Sequence, residues 1–217
     1  MDLHEISKKY NTDKSNHLYK GISYLHVYEP YLKNKQEKNI NILEIGVLRG
    51  GSLKMWKEYF PNASIIGLDI NPGCSQYTEE RIEIFIGSQD DVSIKNEIKN
   101  KYKMLDLIVD DGSHVNELTF QTFSLYWPLL NDNGIYIIED THCCYADLTK
   151  VSRGWPGISH NRSDIEYNNL KNNSFDKFCL TLIRMICRGP GIDTSDLICD
   201  NIFNLSFFPN TLVITKK

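Results

Sequence analysis

Two apolar segments of this chain each end in acidic residues followed by a histidine. Ile108 to His114 reads Ile-Val-Asp-Asp-Gly-Ser-His, and Ile137 to His142 reads Ile-Ile-Glu-Asp-Thr-His. If both segments are neighbouring parallel strands, their acids meet at the carboxyl edge of one sheet, where open α/β sheets bind ligands. Carboxylates crowded there repel one another unless a cation or protons lie among them. The pattern predicts a divalent metal ion beside a histidine base. The acids are Asp110, Asp111, Glu139 and Asp140.

These residues also have simpler interpretations. Acids at strand ends often cap the following helix, and a single histidine beside a turn is usually structural. Two such endings in one chain favour the metal interpretation. His114 is the favoured base, and His142, placed similarly after the second acid pair, is its rival. Cys143 and Cys144 follow directly, and packing explains them better than a nucleophilic role.

A glycine-rich turn joins a predicted strand to a predicted helix. It runs from Glu44 to Ser52 with the spacing G-x-x-x-G-G, which is not the dinucleotide fingerprint G-x-G-x-x-G. Gly46 and Gly50 allow the backbone to approach a ligand closely. Asp69 ends the next strand, where an acid can accept hydrogen bonds from both hydroxyls of a ribose. Together these residues indicate a nucleoside site, although a tight turn and a helix cap are the alternatives.

The third predicted strand ends in Gly-Ser-Gln-Asp-Asp, beginning at Gly87. In such sheets this position lies near the base of a bound nucleoside, so Ser88, Gln89 or Asp90 could bond an adenine edge. Capping of the following helix by Ser88 or Asp90 is equally compatible with the sequence.

Regular elements alternate from residue 39 onward. Strands alternating with amphipathic helices imply a parallel sheet that is covered on both faces. Ser52 is a candidate cap for the first core helix, and the tail around Pro209 and Asn210 predicts a hairpin. The predicted strands are 39–44, 64–70, 82–86, 105–109 and 135–138, with hairpin strands at 202–208 and 211–215; the predicted helices are 53–60, 92–101, 116–129 and 175–188.

The pattern predicts one domain with elaborations. Residues 1–38 form a partly helical N-terminal segment over the site, residues 39–217 form the main domain, and residues 143–173 form a lid-like insertion. The spacing of Tyr24, Tyr28 and Tyr31 is helical, with Pro30 expected to kink or start that helix.

Composition narrows the functional classes. The net charge of −4, with scattered Lys and Arg, argues against a nucleic-acid partner. No apolar stretch is long enough for a bilayer and no secretory signal is visible, so we expect a cytoplasmic protein without membrane contact. The six cysteines include no C-x-x-C pair, which argues against a zinc site.

The motifs together resemble class I S-adenosylmethionine-dependent methyltransferases. More narrowly, they resemble the metal-dependent sugar O-methyltransferases of macrolide biosynthesis, the mycinamicin type. The resemblance rests on the Glu-x-Gly-x-x-x-Gly-Gly turn, Asp69, Asp-Asp-Gly-Ser-His and Ile-Ile-Glu-Asp. It extends over nearly the whole chain, including Thr12-Asp-Lys14 and Tyr28-Glu29 in the N-terminal segment.

This resemblance implies a fold and a set of roles. The fold is a Rossmann-like, mostly parallel sheet of seven strands with a C-terminal antiparallel hairpin and helices on both faces. Glu44 and Gly46 would border the methionine part of S-adenosylmethionine, Asp69 its ribose, and Asp110 its sulfonium or amino group. Asp111, Glu139 and Asp140 would bind Mg²⁺ or another divalent cation, and His114 would be the general base. Ser88 departs from the family, which commonly has an acid there.

The implied reaction agrees with the residue types. A sugar hydroxyl is a very weak acid, and a divalent cation bound to two neighbouring oxygens lowers their pKa and orients them. The acceptor would be a small hydroxylated molecule, such as a sugar or a nucleotide-linked or phosphoryl precursor, in polysaccharide or natural-product tailoring. The competing hypotheses are a nucleotide-binding oxidoreductase or hydroxylase and a non-catalytic protein that binds the donor. Relatives form oligomers, so a homo-oligomer is also compatible with the sequence.

Overall fold

The computed structural model describes residues 2–15, 21–145, 174–187 and 201–217. Most of the predicted lid-like insertion, residues 146–173, lies outside the described residues, so its assignment stays a prediction. Within the described residues, no helix is both long enough and apolar enough to cross a membrane.

A seven-stranded sheet forms the centre of the fold, in the order β3-β2-β1-β4-β5-β7-β6. The first five strands pair in parallel, and β7 pairs antiparallel with both β5 and β6. This arrangement confirms the predicted mostly parallel sheet with its C-terminal hairpin. The strands are β1 Asn41–Ile45, β2 Ser64–Asp69, β3 Ile82–Ile86, β4 Leu105–Asp110, β5 Leu130–Ile138, β6 Ile202–Phe208 and β7 Thr211–Lys216.

The described part of the chain contains six α-helices. They are α1 Leu3–Lys9, α2 Tyr24–Leu32, α3 Gly51–Tyr59, α4 Val92–Tyr102, α5 Asn116–Tyr126 and α6 Ser174–Ile186. Pro30 lies inside α2 and does not start it. The predicted helix 116–129 ends its α-helical part at Tyr126, and Trp127–Leu129 continues as a 3₁₀ turn that contains Pro128.

The sheet is covered on both faces because adjacent strand residues point in opposite directions. Ile42 packs in a core cluster that contains buried side chains of α1, α2 and α3. Its neighbour Leu43 packs in a second cluster, with buried residues of α4, α5 and α6. The N-terminal helices therefore share a core with the sheet, although the predicted division at residue 38 is not tested by this packing.

The predicted capping role of Ser52 is wrong. Gly50 is the N-cap of α3, with φ +69°, a left-handed conformation that glycine adopts at no steric cost. The helix therefore begins at Gly51, two residues earlier than a Ser52 cap would place it. The Ser52 hydroxyl donates instead to the buried Glu44 carboxylate. The hydroxyl therefore satisfies a buried acid, which needs a hydrogen-bond partner, and not the end of the helix.

Candidate functional site

The two acidic segments meet where β4 and β5 end side by side. Asp110 is paired in register with Ile138, and the Glu139 backbone N–H donates to the Asp110 carbonyl at 3.0 Å. On the other side of β4, the Asp111 N–H donates to the Ile45 carbonyl at 2.9 Å. The hydrogen-bond ladder thus continues past the strand ends and brings both acid pairs to the carboxyl edge of the sheet, as the sequence predicts.

His114 lies within this group of acids. Its Nε2 atom is 3.5 Å from Asp140 Oδ2 and 3.9 Å from Asp111 Oδ1, and only 9% of the side chain is exposed. The backbones of His114 and Asp140 both have positive φ, at +55° and +52°. Such conformations are uncommon away from glycine and are found where the surrounding structure imposes them, often at active sites.

One oxygen or nitrogen from each of Asp111, His114 and Asp140 forms a group whose atoms all lie within 4.8 Å of one another. Two carboxylates and an imidazole at this spacing can hold a divalent cation. Glu139 is not a member of this group. Its Oε1 atom accepts hydrogen bonds from Lys14 and Tyr28 instead. The role of Glu139 as a metal ligand therefore has no support from this spacing and stays a prediction.

Lys14 also belongs to this site, although the sequence interpretation gave it no role. Its side chain is 1% exposed, and Nζ lies 3.0 Å from Asp111 Oδ2 and 2.7 Å from Glu139 Oε1. Burial opposes the charge, but the carboxylates of Asp111 and Glu139 outweigh it and hold the pKa of Lys14 well above its usual value. The similarity of Thr12-Asp-Lys14 to the family's N-terminal segment was the available signal.

Helix α2 supplies two further contacts. The Tyr24 hydroxyl donates to Asp140 Oδ1, and the Tyr28 hydroxyl donates to Glu139 Oε1. The two tyrosines lie one turn apart and their rings stack with centroids 6.3 Å apart. The helical spacing of these tyrosines was visible in the sequence, but their contact with the acids was not.

Burial dominates the electrostatics of the acids. It raises the pKa values of Asp111 and Glu139, although Lys14 partly lowers both. The Asp140 carboxylate further raises the pKa of Asp111, and Asp111 further raises that of Glu139. Burial also raises the pKa of Asp110 to about 7. A pocket in which several carboxylates are hard to ionise together favours the binding of a cation.

The predicted donor residues surround the glycine-rich turn. A Cβ atom at Gly46, where φ is +92°, would lie 2.0 Å from the Asp111 carbonyl oxygen. Asp69 Oδ2 accepts from the backbone N–H groups of Val47 at 2.8 Å and Leu48 at 3.1 Å. The turn is therefore held between the end of β2 and the acidic loop after β4, which begins at Asp111.

Glu44 and Gln89 make internal contacts that the sequence did not predict. The buried Glu44 carboxylate accepts from Ser52 Oγ and Trp56 Nε1. Gln89 Nε2 donates to Thr122 at 2.8 Å, and its Oε1 accepts from the Ser113 N–H at 2.8 Å. Glu44 therefore contacts α3, and Gln89 joins α5 to the loop at Ser113. The contact of either side chain with a donor molecule stays a prediction.

Ser88 and Asp90 bond to each other, and neither caps α4. The Ser88 hydroxyl donates to Asp90 Oδ1, whereas Asp91 is the N-cap and accepts from the Ser93 N–H. Capping by Ser88 or Asp90 is therefore wrong, and the proposed adenine contacts are not tested.

His142 approaches a different carboxylate oxygen of Asp140 from the one that His114 approaches. Its Nδ1 atom is 3.7 Å from Asp140 Oδ1, whereas His114 faces Oδ2. His142 is also outside the group of three residues with closely spaced ligand atoms. Cys143 and Cys144 are buried, which agrees with the packing role expected of them.

Comparison with known proteins finds sugar O-methyltransferases. No family model matches the chain. It is 34% identical over 164 residues to the mycinamicin VI 2''-O-methyltransferase of Micromonospora griseorubida, a match that covers 72% of this chain and 38% of that protein. It is 28% identical over 224 residues to the L-olivosyl-oleandolide 3-O-methyltransferase of Streptomyces antibioticus, covering 99% of this chain and 54% of that protein.

A solved structure extends this similarity to the fold. The MycE methyltransferase of the mycinamycin pathway, in complex with Mg, S-adenosylhomocysteine (SAH) and mycinamycin VI, matches with a TM-score of 0.78 and 29% identity. The match covers 100% of this chain and 54% of that one. The chain therefore spans about half the length, or less, of these relatives.

Proposed function

We propose that the chain is a class I S-adenosylmethionine-dependent methyltransferase, related to the macrolide sugar O-methyltransferases, and that it methylates a sugar hydroxyl with the help of Mg²⁺. The observation that carries the proposal is His114 beside Asp111 and Asp140 at the carboxyl edge of the sheet. The relatives' names favour a sugar on a natural product over a polysaccharide or nucleotide-linked precursor.

In this proposal the chain contributes a base and a donor pocket. The reaction is an in-line displacement at the methyl carbon, during which the acceptor oxygen loses its proton. His114 Nε2 would take that proton, because an imidazole can accept one at neutral pH. The backbone around Gly46 and Gly50 would accommodate the donor, with Asp69 at the ribose. Glu44 and Asp110 would border its methionine part, and Ser88 and Gln89 its base.

Asp111 and Asp140 would hold the divalent cation, with Glu139 as the third ligand that the resemblance implies. When bound, the cation lowers the pKa of acceptor hydroxyls and orients them. The residues fit such an ion, since their carboxylates are crowded, and burial and neighbouring acids raise the pKa values of Asp111 and Glu139. Tyr24 and Tyr28 would keep Asp140 and Glu139 oriented through their hydroxyl groups.

The experiment begins with calorimetric titration of SAH into the purified protein, with Mg²⁺ and after exhaustive chelation. Methyl transfer from S-adenosylmethionine to glycosylated macrolides bearing unmethylated sugars is then measured under both conditions. We expect SAH to bind in both, and methyl transfer to require the metal. SAH binding without methyl transfer to any acceptor would favour the non-catalytic alternative. Absence of SAH binding would contradict the methyltransferase proposal and favour a nucleotide-binding oxidoreductase or hydroxylase.

Matched histidine variants test the base. His114→Asn suits the positive φ at this position, and we expect it to lower methyl transfer by about 10²- to 10⁴-fold while SAH binding persists. His142→Asn is the control and should change the rate far less. Activity that survives chelation, or a larger loss in His142→Asn than in His114→Asn, would contradict these assignments.

A further inference from the structure

Lys14 reaches the acidic pocket, formed by Asp111, Glu139 and Asp140 around His114, from outside the sheet. It lies in a 3₁₀ turn, Asp13–Ser15, that follows α1, and its side chain is almost completely buried. Placing a lysine ammonium in a protein interior is unfavourable unless carboxylates compensate it. Here the compensation comes from Asp111 and Glu139, both of which belong to the ligand set implied for the metal.

The two oxygens of Asp111 face different cation positions. Oδ2 contacts Lys14 at 3.0 Å, whereas Oδ1 is the atom on the side of His114. Asp140 faces His114 through Oδ2 in the same way. The position between Asp111, His114 and Asp140 is therefore separate from the position of the ammonium, with Asp111 shared between them.

Glu139 is held on the lysine side of this pocket. Its Oε1 atom accepts from Lys14 Nζ at 2.7 Å and from the Tyr28 hydroxyl, and its side chain is 1% exposed. The Lys14 ammonium thus compensates the negative charge of Asp111 and Glu139, two acids that would otherwise attract a divalent ion more strongly. A cation entering the pocket would meet both the attraction of the acids and the repulsion of this ammonium.

We propose that Lys14 is a built-in cation of the acidic pocket, which stabilises Asp111 and Glu139 when no metal is bound and lowers the affinity of the pocket for its divalent ion. This inference rests on the metal site of the proposed function. It makes Lys14 a positioning residue, because it acts through the carboxylates. A purely structural lysine would have the opposite effect, since its loss would disorder the ligands and weaken metal binding.

The test is calorimetric titration of MgCl₂, and separately MnCl₂, into metal-free wild-type protein and Lys14→Met. Methionine keeps the length and apolar stem of lysine without its charge. We expect the variant to bind the ion more tightly by about tenfold or more, because the repulsion between the ammonium and the ion is removed. Without metal, the variant should melt at a lower temperature than the wild type, and the ion should raise its melting temperature by more.

Two further variants keep the experiment decisive. Lys14→Gln retains hydrogen-bond donors and serves if Lys14→Met does not fold; the same increase in affinity is expected. Lys9→Met is the control, because Lys9 also belongs to the N-terminal segment but pairs with Glu58 at the surface. Its metal affinity should equal that of the wild type.

Each outcome decides for or against the inference. Tighter metal binding by the Lys14 variants than by the wild type supports the inference. If only the variants bind the ion, the inference is still supported, but the wild-type protein would not use the metal and that part of the proposed function is overturned. Equal or weaker binding by the variants, with a wild type that binds, overturns the inference and leaves the metal site intact. If neither wild type nor variant binds an ion, both proposals are overturned.

Discussion

At the residue scale, the carboxyl groups of the site differ in the partners that the chain provides. Glu139 accepts hydrogen bonds from Lys14 and Tyr28, and Asp140 accepts one from Tyr24. Asp110 is buried with weaker contacts, from the Gly112 N–H and the Tyr136 hydroxyl, each at 3.4 Å. A buried acid with such long contacts is easier to keep protonated than ionised.

This difference predicts a pH-dependent effect of Asp110→Asn on stability. Burial raises the pKa of Asp110 from 3.8 to about 7. Between these values the folded chain keeps a proton that the unfolded chain has released, so the free energy of unfolding falls as pH rises. Asparagine resembles the protonated acid. We therefore expect the free energy of unfolding of Asp110→Asn, relative to that of the wild type, to be higher at pH 8 than at pH 5 by about 1 kcal/mol or more.

The measurement is urea unfolding of metal-free wild type and variant at a series of pH values in the presence of chelator. Asp132→Asn, at an exposed position of β5, is the control for the loss of a carboxylate. A constant difference between Asp110→Asn and wild type across the pH range would show that Asp110 is ionised in the folded protein at low pH.

At the element scale, the site depends on the close approach of two turns. The glycine turn after β1 contacts the acidic loop after β4, because a Cβ at Gly46 would lie 2.0 Å from the Asp111 carbonyl oxygen. The turn also receives Asp69 from the end of β2. The regions proposed for the donor and the metal are therefore connected through backbone, not only through side chains.

Replacing Gly46 by alanine should separate these two turns. The change adds both the strain of a positive φ and a clash with backbone, and we expect it to destabilise the protein by about 3 kcal/mol or more and to weaken SAH binding. Gly21→Ala is the matched control, because Gly21 has φ +83° but, apart from its chain neighbours, no atom of the described residues lies within 4 Å of its added Cβ. It should cost only about 1 kcal/mol.

Thermal or urea unfolding together with SAH calorimetry measures both effects. Equal losses of stability in Gly46→Ala and Gly21→Ala would mean that backbone strain alone accounts for the change. The close approach of the two turns would then have no separate energetic role.

At the scale of the whole molecule, one sheet carries two core clusters. Ile42 and Leu43 are neighbours on β1, both fully buried, and each belongs to a different cluster. The first cluster includes the N-terminal helices that provide Tyr24 and Tyr28. Loss of either cluster should therefore unfold the whole sheet, and the site with it.

Ile42→Ala and Leu43→Ala should each cost about 2–5 kcal/mol of stability, since each leaves a cavity in a packed core. We expect a single unfolding transition in both variants, with coincident curves from circular dichroism and tryptophan fluorescence. Ile86→Ala, at a partly exposed end of β3, is the control and should cost less. Separate transitions for the two probes would show that the N-terminal helices unfold independently.

The sequence by itself determined the fold class and much of the site. Apolar runs alternating with amphipathic helices require a parallel sheet, and acids at the ends of two such runs must meet at its carboxyl edge. Asp111, Glu139, Asp140 and His114 were predicted at this edge for this reason. The structure brings Asp111, His114 and Asp140 within 4.8 Å of one another through their ligand atoms, whereas Glu139 lies outside that group. These inferences depend on local patterns, which one sequence contains in full.

Only the tertiary structure decided which side chains complete the site. Lys14 contacts acids that are 97 and 125 residues away in the chain, and Tyr28 contacts one that is 111 residues away. Gln89 supports the loop at Ser113 through a similar long-range contact. No periodicity or spacing encodes such partners, because they result from the packing of helices from separate parts of the chain against a common sheet edge.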